Sequence, residues 1–193
     1  HVNSTLETLV ESIPAAMFET YGMTETCSHI ALRQFNGENK SDVFSVLNGV
    51  SIRLDERECL VITAPHLLNE AIITNDIVEI TGKNTFRWLG RFDTTINSGG
   101  VKIHPEQVEK KLDGIIPSSF FIASQLDNIL GEKVILVIES DDYSASRRAE
   151  LTASIENRLS KFEIPKAIYF APEFVYSSAN KILRKETLQK LNQ

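Results

Sequence analysis

The sequence predicts an α+β chain in two parts, a small β-rich, barrel-like part followed by a three-stranded α/β sandwich. Three observations predict it. Short apolar runs separated by turn residues fill 28–80. Beyond residue 105, strand-like runs interleave with helical patterns. Between them, at 90–93, one pattern gives way to the other, so the boundary is expected there, with residues 1–90 in the first part and 91–193 in the second.

Taken in order, Leu6, Leu9, Val10 and Ile13 recur at helical spacing until Pro14 ends the pattern. A strand is expected around 16–20, then short strands at 29–32, 43–46, 50–54, 59–63 and 77–80. Asn36-Gly37, Asn48-Gly49 and Asp55-Glu56-Arg57 punctuate them, and several short strands at this spacing suggest a small barrel or curled sheet. Phe86, Trp88 and Leu89 read as core packing ahead of the boundary. A helix is expected over 105–112, because Pro105 in a first turn loses no needed N–H and Glu106 suits the positive helix end. Asp113-Gly114 should stop it. Strands at 119–123 and 133–139 follow, then a helix over 145–160 with Leu151, Ile155 and Leu159 as its buried stripe. A strand at 167–170 and a helix at 185–191 complete the pattern.

Composition removes several function classes. A formal charge of −6 offers no basic footprint for nucleic acid. No apolar run approaches the roughly 20 residues of a membrane span. Two cysteines, Cys27 and Cys59, are too few for a disulfide framework and are expected as free thiols. With no charged-then-apolar leader, the expected location is cytoplasmic. The chain begins at His1 rather than Met, and reads as a piece of a longer protein.

The densest signal is the run GRFDTTINSGGVKIHPEQVE, 90–109. By itself it reads as a hairpin turn followed by a surface helix, since paired glycines are common turn punctuation. Other tracts change that reading. YGMTET occupies 21–26, where Gly22 permits a sharp turn; TND occupies 74–76; NKILRK occupies 180–185. In this order the tracts resemble the signatures of the adenylate-forming superfamily, which comprises acyl-CoA synthetases, luciferases and peptide-synthetase adenylation domains. Gly90-Arg91-Phe92-Asp93 and Ile96 to Gly100, then Lys102-Ile103-His104-Pro105 with Val108-Glu109, match its hinge and the loop after it. Three positions depart from the pattern: Asn75 and Asn180 stand where Gly is usual, and Val175 where Pro is common. At 75, Asn still tolerates a left-handed backbone, whereas the departures at 175 and 180 leave that loop's conformation open.

The resemblance implies an ATP-dependent carboxylate–CoA ligase working through an acyl-adenylate, with ATP, Mg²⁺ and CoA as cofactor and cosubstrates and a small-molecule carboxylate as substrate. It implies that residues 1–90 are the C-terminal part of a large ATP-binding domain and that 91–193 form a mobile domain. Tyr21 would stack on or border the adenine, in a nucleotide loop shared with Gly22. Thr24 would bond the α-phosphate, and Glu25 would hold Mg²⁺, a hard cation that commonly bridges one carboxylate to phosphates. Asp76 and Arg91 would meet the ribose, a vicinal diol well matched to an ionised carboxylate. Asp93 would be the pivot. Gly99, Gly100 and Lys102 would line the thioester path, and Lys181 would reach the carboxylate and α-phosphate. The tract 21–33 looks most similar to o-succinylbenzoate–CoA ligases of menaquinone biosynthesis.

The superfamily's Ser/Thr/Gly-rich phosphate loop is not found in these residues, and Gly82-Lys83 lacks the preceding glycine of a P-loop. The 193 residues alone are therefore expected to be inactive and to bare apolar surface around 6–18. Another acyl- or aryl-CoA ligase, an adenylation domain, or a noncatalytic interaction or carrier-docking module are the competing readings. An oligomer is compatible with all of them.

Overall fold

A computed structural model describes residues 9–11, 13–67 and 69–191. They form two compact units that meet between Asp93 and Thr94.

The first unit is one antiparallel sheet. Its strands are β1 (Phe18–Gly22), β2 (His29–Gln34), β3 (Phe44–Val46), β4 (Ser51–Leu54), β5 (Cys59–Thr63), β6 (Ile72–Gly82) and β7 (Thr85–Arg91), in the order β1-β2-β3-β7-β6-β5-β4. The two end strands do not pair, so the sheet stays open where a barrel-like part was expected. Ile30, Phe44, Leu60, Ile62, Val78 and Phe86 form its core. β5 reads CLVIT and is buried over its first four residues, as expected of a strand covered on both faces. β7 forms where an apolar lead-in was expected, and β6 reaches well beyond the predicted 77–80. Leu9 is 65% exposed, Ile13 40% and Phe18 51%, so apolar surface is bare in this region, whereas Leu6 lies outside the described residues.

The second unit has five strands. β8 (Ile96–Ser98) and β9 (Val101–Ile103) make a hairpin closed by Gly99 and Gly100, both at positive φ. That is the backbone a two-residue hairpin turn matching the strand twist demands. Next come helix α1 (Pro105–Leu112), β10 (Phe120–Asp127), β11 (Gly131–Glu139), helix α2 (Ala145–Arg158), β12 (Ala167–Ala171) and helix α3 (Arg184–Leu191). β11 is central, antiparallel to β10 and parallel to β12, with α2 as the crossover that a parallel pair needs. The predicted three strands are thus present, and the β8–β9 hairpin adds to them through Ser98 opposite Gly131.

Alternation along β10 and β11 sends apolar side chains to both faces. Ile122, Leu136 and Ile138 pack against Val108, Leu112, Leu151, Ile155 and Leu159 of the first two helices and the residue after α2. Phe121, Ile135 and Val137 pack against Phe174, with Leu188 and Leu191 of α3 alongside. This is the expected sandwich. Ser144 caps α2, its Oγ accepting from the Arg147 amide at 3.4 Å. Cys27 and Cys59 are free thiols. Among the described residues no helix is long and apolar enough to cross a membrane.

Candidate active-site elements

In the first unit, one carboxylate gathers side chains far apart in sequence. Tyr21 Oη donates to Asp76 Oδ2 at 2.6 Å, and Trp88 Nε1 donates to Oδ1 at 3.2 Å. The Asp76 amide donates to Thr74 Oγ1 at 3.0 Å, and that buried hydroxyl donates to the Leu60 carbonyl at 2.8 Å. Arg91 lies directly opposite Asp76 across the β6–β7 pair. The Tyr21 ring packs edge-on against the stacked pair Phe44 and Phe86, with centroids 5.8 and 5.2 Å away. Burial pushes the Tyr21 hydroxyl well above its ordinary range and Asp76 pushes it the same way, against a smaller pull from Arg91. Tyr21 is therefore a neutral donor that fixes the Asp76 rotamer.

Gly22 follows Tyr21 and sits against the opposite strand. A Cβ there would lie 2.4 Å from the Ser28 carbonyl oxygen and 2.6 Å from His29 Cα. The chain then turns through a single 3₁₀ turn, Thr24–Thr26. Thr26 is fully buried and its hydroxyl accepts from the Met23 amide at 3.0 Å, which holds the turn in place. Thr24 and Glu25 are left exposed, and among the described residues no ion pair engages Glu25.

Asn75 does not use the left-handed backbone that its Gly-like position suggests. It continues β6, and its side-chain oxygen accepts from Arg57 Nη1 at 3.0 Å. Arg57 also donates to the Thr74 carbonyl at 3.1 Å and lies over the Phe92 ring at 5.1 Å, so it clamps the segment before Asp76. Asp93 accepts from Arg91 Nε and Nη2 at 2.9 and 3.1 Å, and the 3₁₀ turn Phe92–Thr94 contains it.

In the second unit Gly99 is pinned by its amide to the Leu130 carbonyl at 2.9 Å, while a Cβ on Gly100 would meet only open space. Lys102 is exposed and pairs in register with Asn97. Lys181 belongs to a separate hairpin turn. The Ser177 amide donates to the Lys181 carbonyl and the Asn180 amide to the Ser177 carbonyl, the Lys181 amide donates to Ser177 Oγ, and Tyr176 bridges to Ile182. Asn180 takes φ +57° there, so it adopts the left-handed conformation for which Gly is usual. The Lys181 side chain is exposed and in no ion pair among the described residues.

Two matched motifs meet through residues that were not singled out as site residues. Arg184 Nη2 donates to Glu109 Oε2 at 2.9 Å, Arg184 Nη1 to the Ile122 carbonyl at 3.3 Å, and the Ile122 amide to Glu109 Oε1 at 2.8 Å. Burial pushes the Glu109 carboxyl up to about 7, with Arg184 and the Ile122 amide pulling the other way. Because the folded value lies above the ordinary 4.5, the folded unit holds this proton more tightly than the unfolded chain. The resulting stability is complete below about pH 4.5 and fades as pH rises through about 7. Urea unfolding at pH 5 and pH 8 should show the second unit of Glu109→Gln losing this group's contribution, a difference of about 1–3 kcal/mol between the two pH values.

No group of three or more His, Cys, Asp or Glu side chains gathers as a metal cluster among the described residues. A Mg²⁺ ion shared with substrate phosphates does not require one.

The open sheet and the helix-covered sheet together resemble the C-terminal domain of acyl-CoA synthetases, and both sequence relatives and structural neighbours point to the adenylate-forming acyl-CoA ligases. No family model matches the chain. It is 27% identical over 163 residues to a medium/long-chain-fatty-acid–CoA/3-oxocholest-4-en-26-oate–CoA ligase of Mycolicibacterium smegmatis, an alignment covering 83% of this chain and 26% of that protein. It is 31% identical over 111 residues to a 3-oxocholest-4-en-26-oate–CoA ligase of Rhodococcus rhodochrous, covering 56% of this chain and 20% of the relative. Among solved structures, an AMP-forming acyl-CoA synthetase/AMP-acid ligase II-like protein of Dyadobacter fermentans is 39% identical with a TM-score of 0.53, covering 99% of this chain and 55% of the other. An o-succinylbenzoate–CoA synthetase of Bacillus subtilis, solved with ATP and magnesium, has a TM-score of 0.73 at 20% identity, covering 97% and 44%. The last likeness is one of fold alone. These alignments span about a fifth to a quarter of the length of the curated relatives.

Proposed function

We propose that this chain is the C-terminal portion of an ATP-dependent carboxylate–CoA ligase that forms an acyl-adenylate and then a thioester. The observation that carries the reading is the Asp76 cluster. An ionised carboxylate has about four acceptor sites. Tyr21 and Trp88 take two of them, which leaves two for the hydroxyls of a ribose, with Arg91 alongside. In this reading Thr24 and Glu25, exposed beside the buried Thr26, would meet phosphate and a hard cation. Glu25 is the residue that would hold Mg²⁺, whose chemistry there is to offset phosphate charge. Lys181 supplies a second positive charge from the other unit. The Gly99-Gly100 turn offers bare backbone for a thiol arm to pass, with Lys102 beside it. Asp93 is the pivot between a first unit that completes an ATP-binding domain and a second that swings.

Within this class the finer reading is o-succinylbenzoate as the acid, supported by the tract 21–33 and by shared fold with o-succinylbenzoate–CoA synthetases. A fatty or steroidal acid is the second reading, favoured by the names of the sequence relatives. The test joins these residues to the ATP-binding half of the proposed enzyme and measures carboxylate-dependent ATP–pyrophosphate exchange with each acid in turn. Exchange with either acid supports the ligase and its dependence picks the substrate. No exchange with any carboxylate, together with no AMP or CoA binding by calorimetry, would return the chain to a docking module.

A further inference from the structure

Three consecutive residues lead into the Lys181 turn, and each is held by a side chain from another element. The Phe174 amide donates to Glu139 Oε1 at 2.8 Å and Tyr176 Oη donates to Glu139 Oε2 at 2.6 Å, so the last residue of β11 spends both carboxylate oxygens on this arm. Between them the Val175 amide donates to Thr187 Oγ1 at 3.1 Å. Thr187 is buried in α3, and its hydroxyl donates to the Leu183 carbonyl at 2.9 Å. A threonine hydroxyl bonded back one helical turn is ordinary. One that also accepts from an amide 12 residues earlier ties two segments together. The Leu183 amide donates to the Val175 carbonyl at 2.8 Å, so the incoming and outgoing arms are joined at the base of the turn. Where the matched pattern commonly has Pro, this chain has Val175. A proline ring would fix φ and carry no N–H. Val175 lacks that restraint and has the N–H that Thr187 takes.

We propose that Glu139 and Thr187 are positioning residues that hold the two arms of the Lys181 turn, supplying through side-chain bonds the restraint that a proline at 175 would give. This rests on the proposed role of Lys181 in adenylate formation. Both act on the backbone of the arms, and the turn between the arms carries the ammonium.

The experiment reads the turn and the reaction separately. In the 193-residue chain, NMR amide exchange at Ser177, Asn180 and Lys181, the donors that close the turn, is compared with exchange along β11. Thr187→Val should speed the turn amides about fivefold relative to β11, and Glu139→Ala, which frees two donors, about tenfold. Thr187→Ser keeps the hydroxyl and should stay near wild type. In the complete ligase, Thr187→Val and Glu139→Ala should slow adenylate formation by similar factors and leave thioester formation from supplied adenylate near wild type. Turn amides unchanged relative to β11 in either variant overturn the proposal. Equal losses in both half-reactions overturn it too, because the Gly99-Gly100 turn lies in the same unit and general destabilisation would harm both. A wild-type ligase without carboxylate-dependent ATP–pyrophosphate exchange fails the functional reading alone, since the amide rates still show whether the two side chains hold the turn.

Discussion

In a complete ligase containing this chain, Lys181→Ala is expected to slow adenylate formation by about 10²–10³-fold, or roughly 2.7–4 kcal/mol of transition-state stabilisation. Thioester formation from supplied adenylate should stay near wild type. The first half-reaction sets a carboxylate against an α-phosphate, two anions whose approach is opposed mainly by charge. A preorganised cation lowers that barrier most when its mounting is stiff and its head is free. Lys181 meets both conditions: three hydrogen bonds close its turn, Asn180 holds the left-handed corner, and no ion pair claims the ammonium among the described residues. A compact point charge on a flexible stem can also withdraw when the unit turns. Separate assays of the two half-reactions decide the matter. Equal losses in both would mean that one fixed arrangement serves the whole reaction.

How far the sequence reached depended on whether the deciding interactions were local. Helix α1 was legible to its ends because Pro105, Glu106 and Asp113-Gly114 act within one turn of the residues they punctuate. The loop at Asn180 was left open by its departure from Gly, and the structure shows that Asn fills the left-handed corner itself. Asn75 is the counter-case: the same residue type stays extended because the ladder of β6 and the Arg57 clamp outweigh its local tolerance. β7 was hidden by its own sequence. Thr85–Arg91 carries arginines at both 87 and 91, and its Gly90-Arg91 end drew the reading toward a hinge when it also pairs with β6. Whether the first sheet closes depends on pairing between its end strands, about which neither strand's composition speaks. The bond from Trp88 to Asp76 spans neighbouring strands whose register shifts twice, so no residue count could have found it. Glu109 and Arg184, 75 residues apart, each closed a matched motif, and only the fold shows that the two endings are one ion pair.

Gly22→Ala should lower the stability of the first unit by about 3 kcal/mol, the upper end of what overpacking costs. The reason is contact and not backbone conformation, since Gly22 is absent from the positive-φ glycines. Its added methyl would meet the Ser28 carbonyl at 2.4 Å and His29 Cα at 2.6 Å, backbone atoms of the facing segment that cannot rotate away. Gly22 and His29 would have to part at the register shift between Tyr21 and Gly22, and that movement displaces the turn bearing Thr24 and Glu25. It also pulls on Tyr21, whose hydroxyl holds the carboxylate that Trp88 contacts. Trp88 is the sole tryptophan, so intrinsic fluorescence reports on this cluster. A lower urea midpoint by Trp88 emission, with an altered native spectrum, is the expected result. Gly100→Ala is the matched contrast: its φ of +82° strains any side chain, yet the space around it is open, so about 1–2 kcal/mol is expected, felt in the second unit and silent at Trp88. If Gly22→Ala keeps the wild-type midpoint and spectrum, close approach of the two segments does not position the Thr24–Glu25 turn, and the reading of that turn as a phosphate and cation contact loses its structural footing.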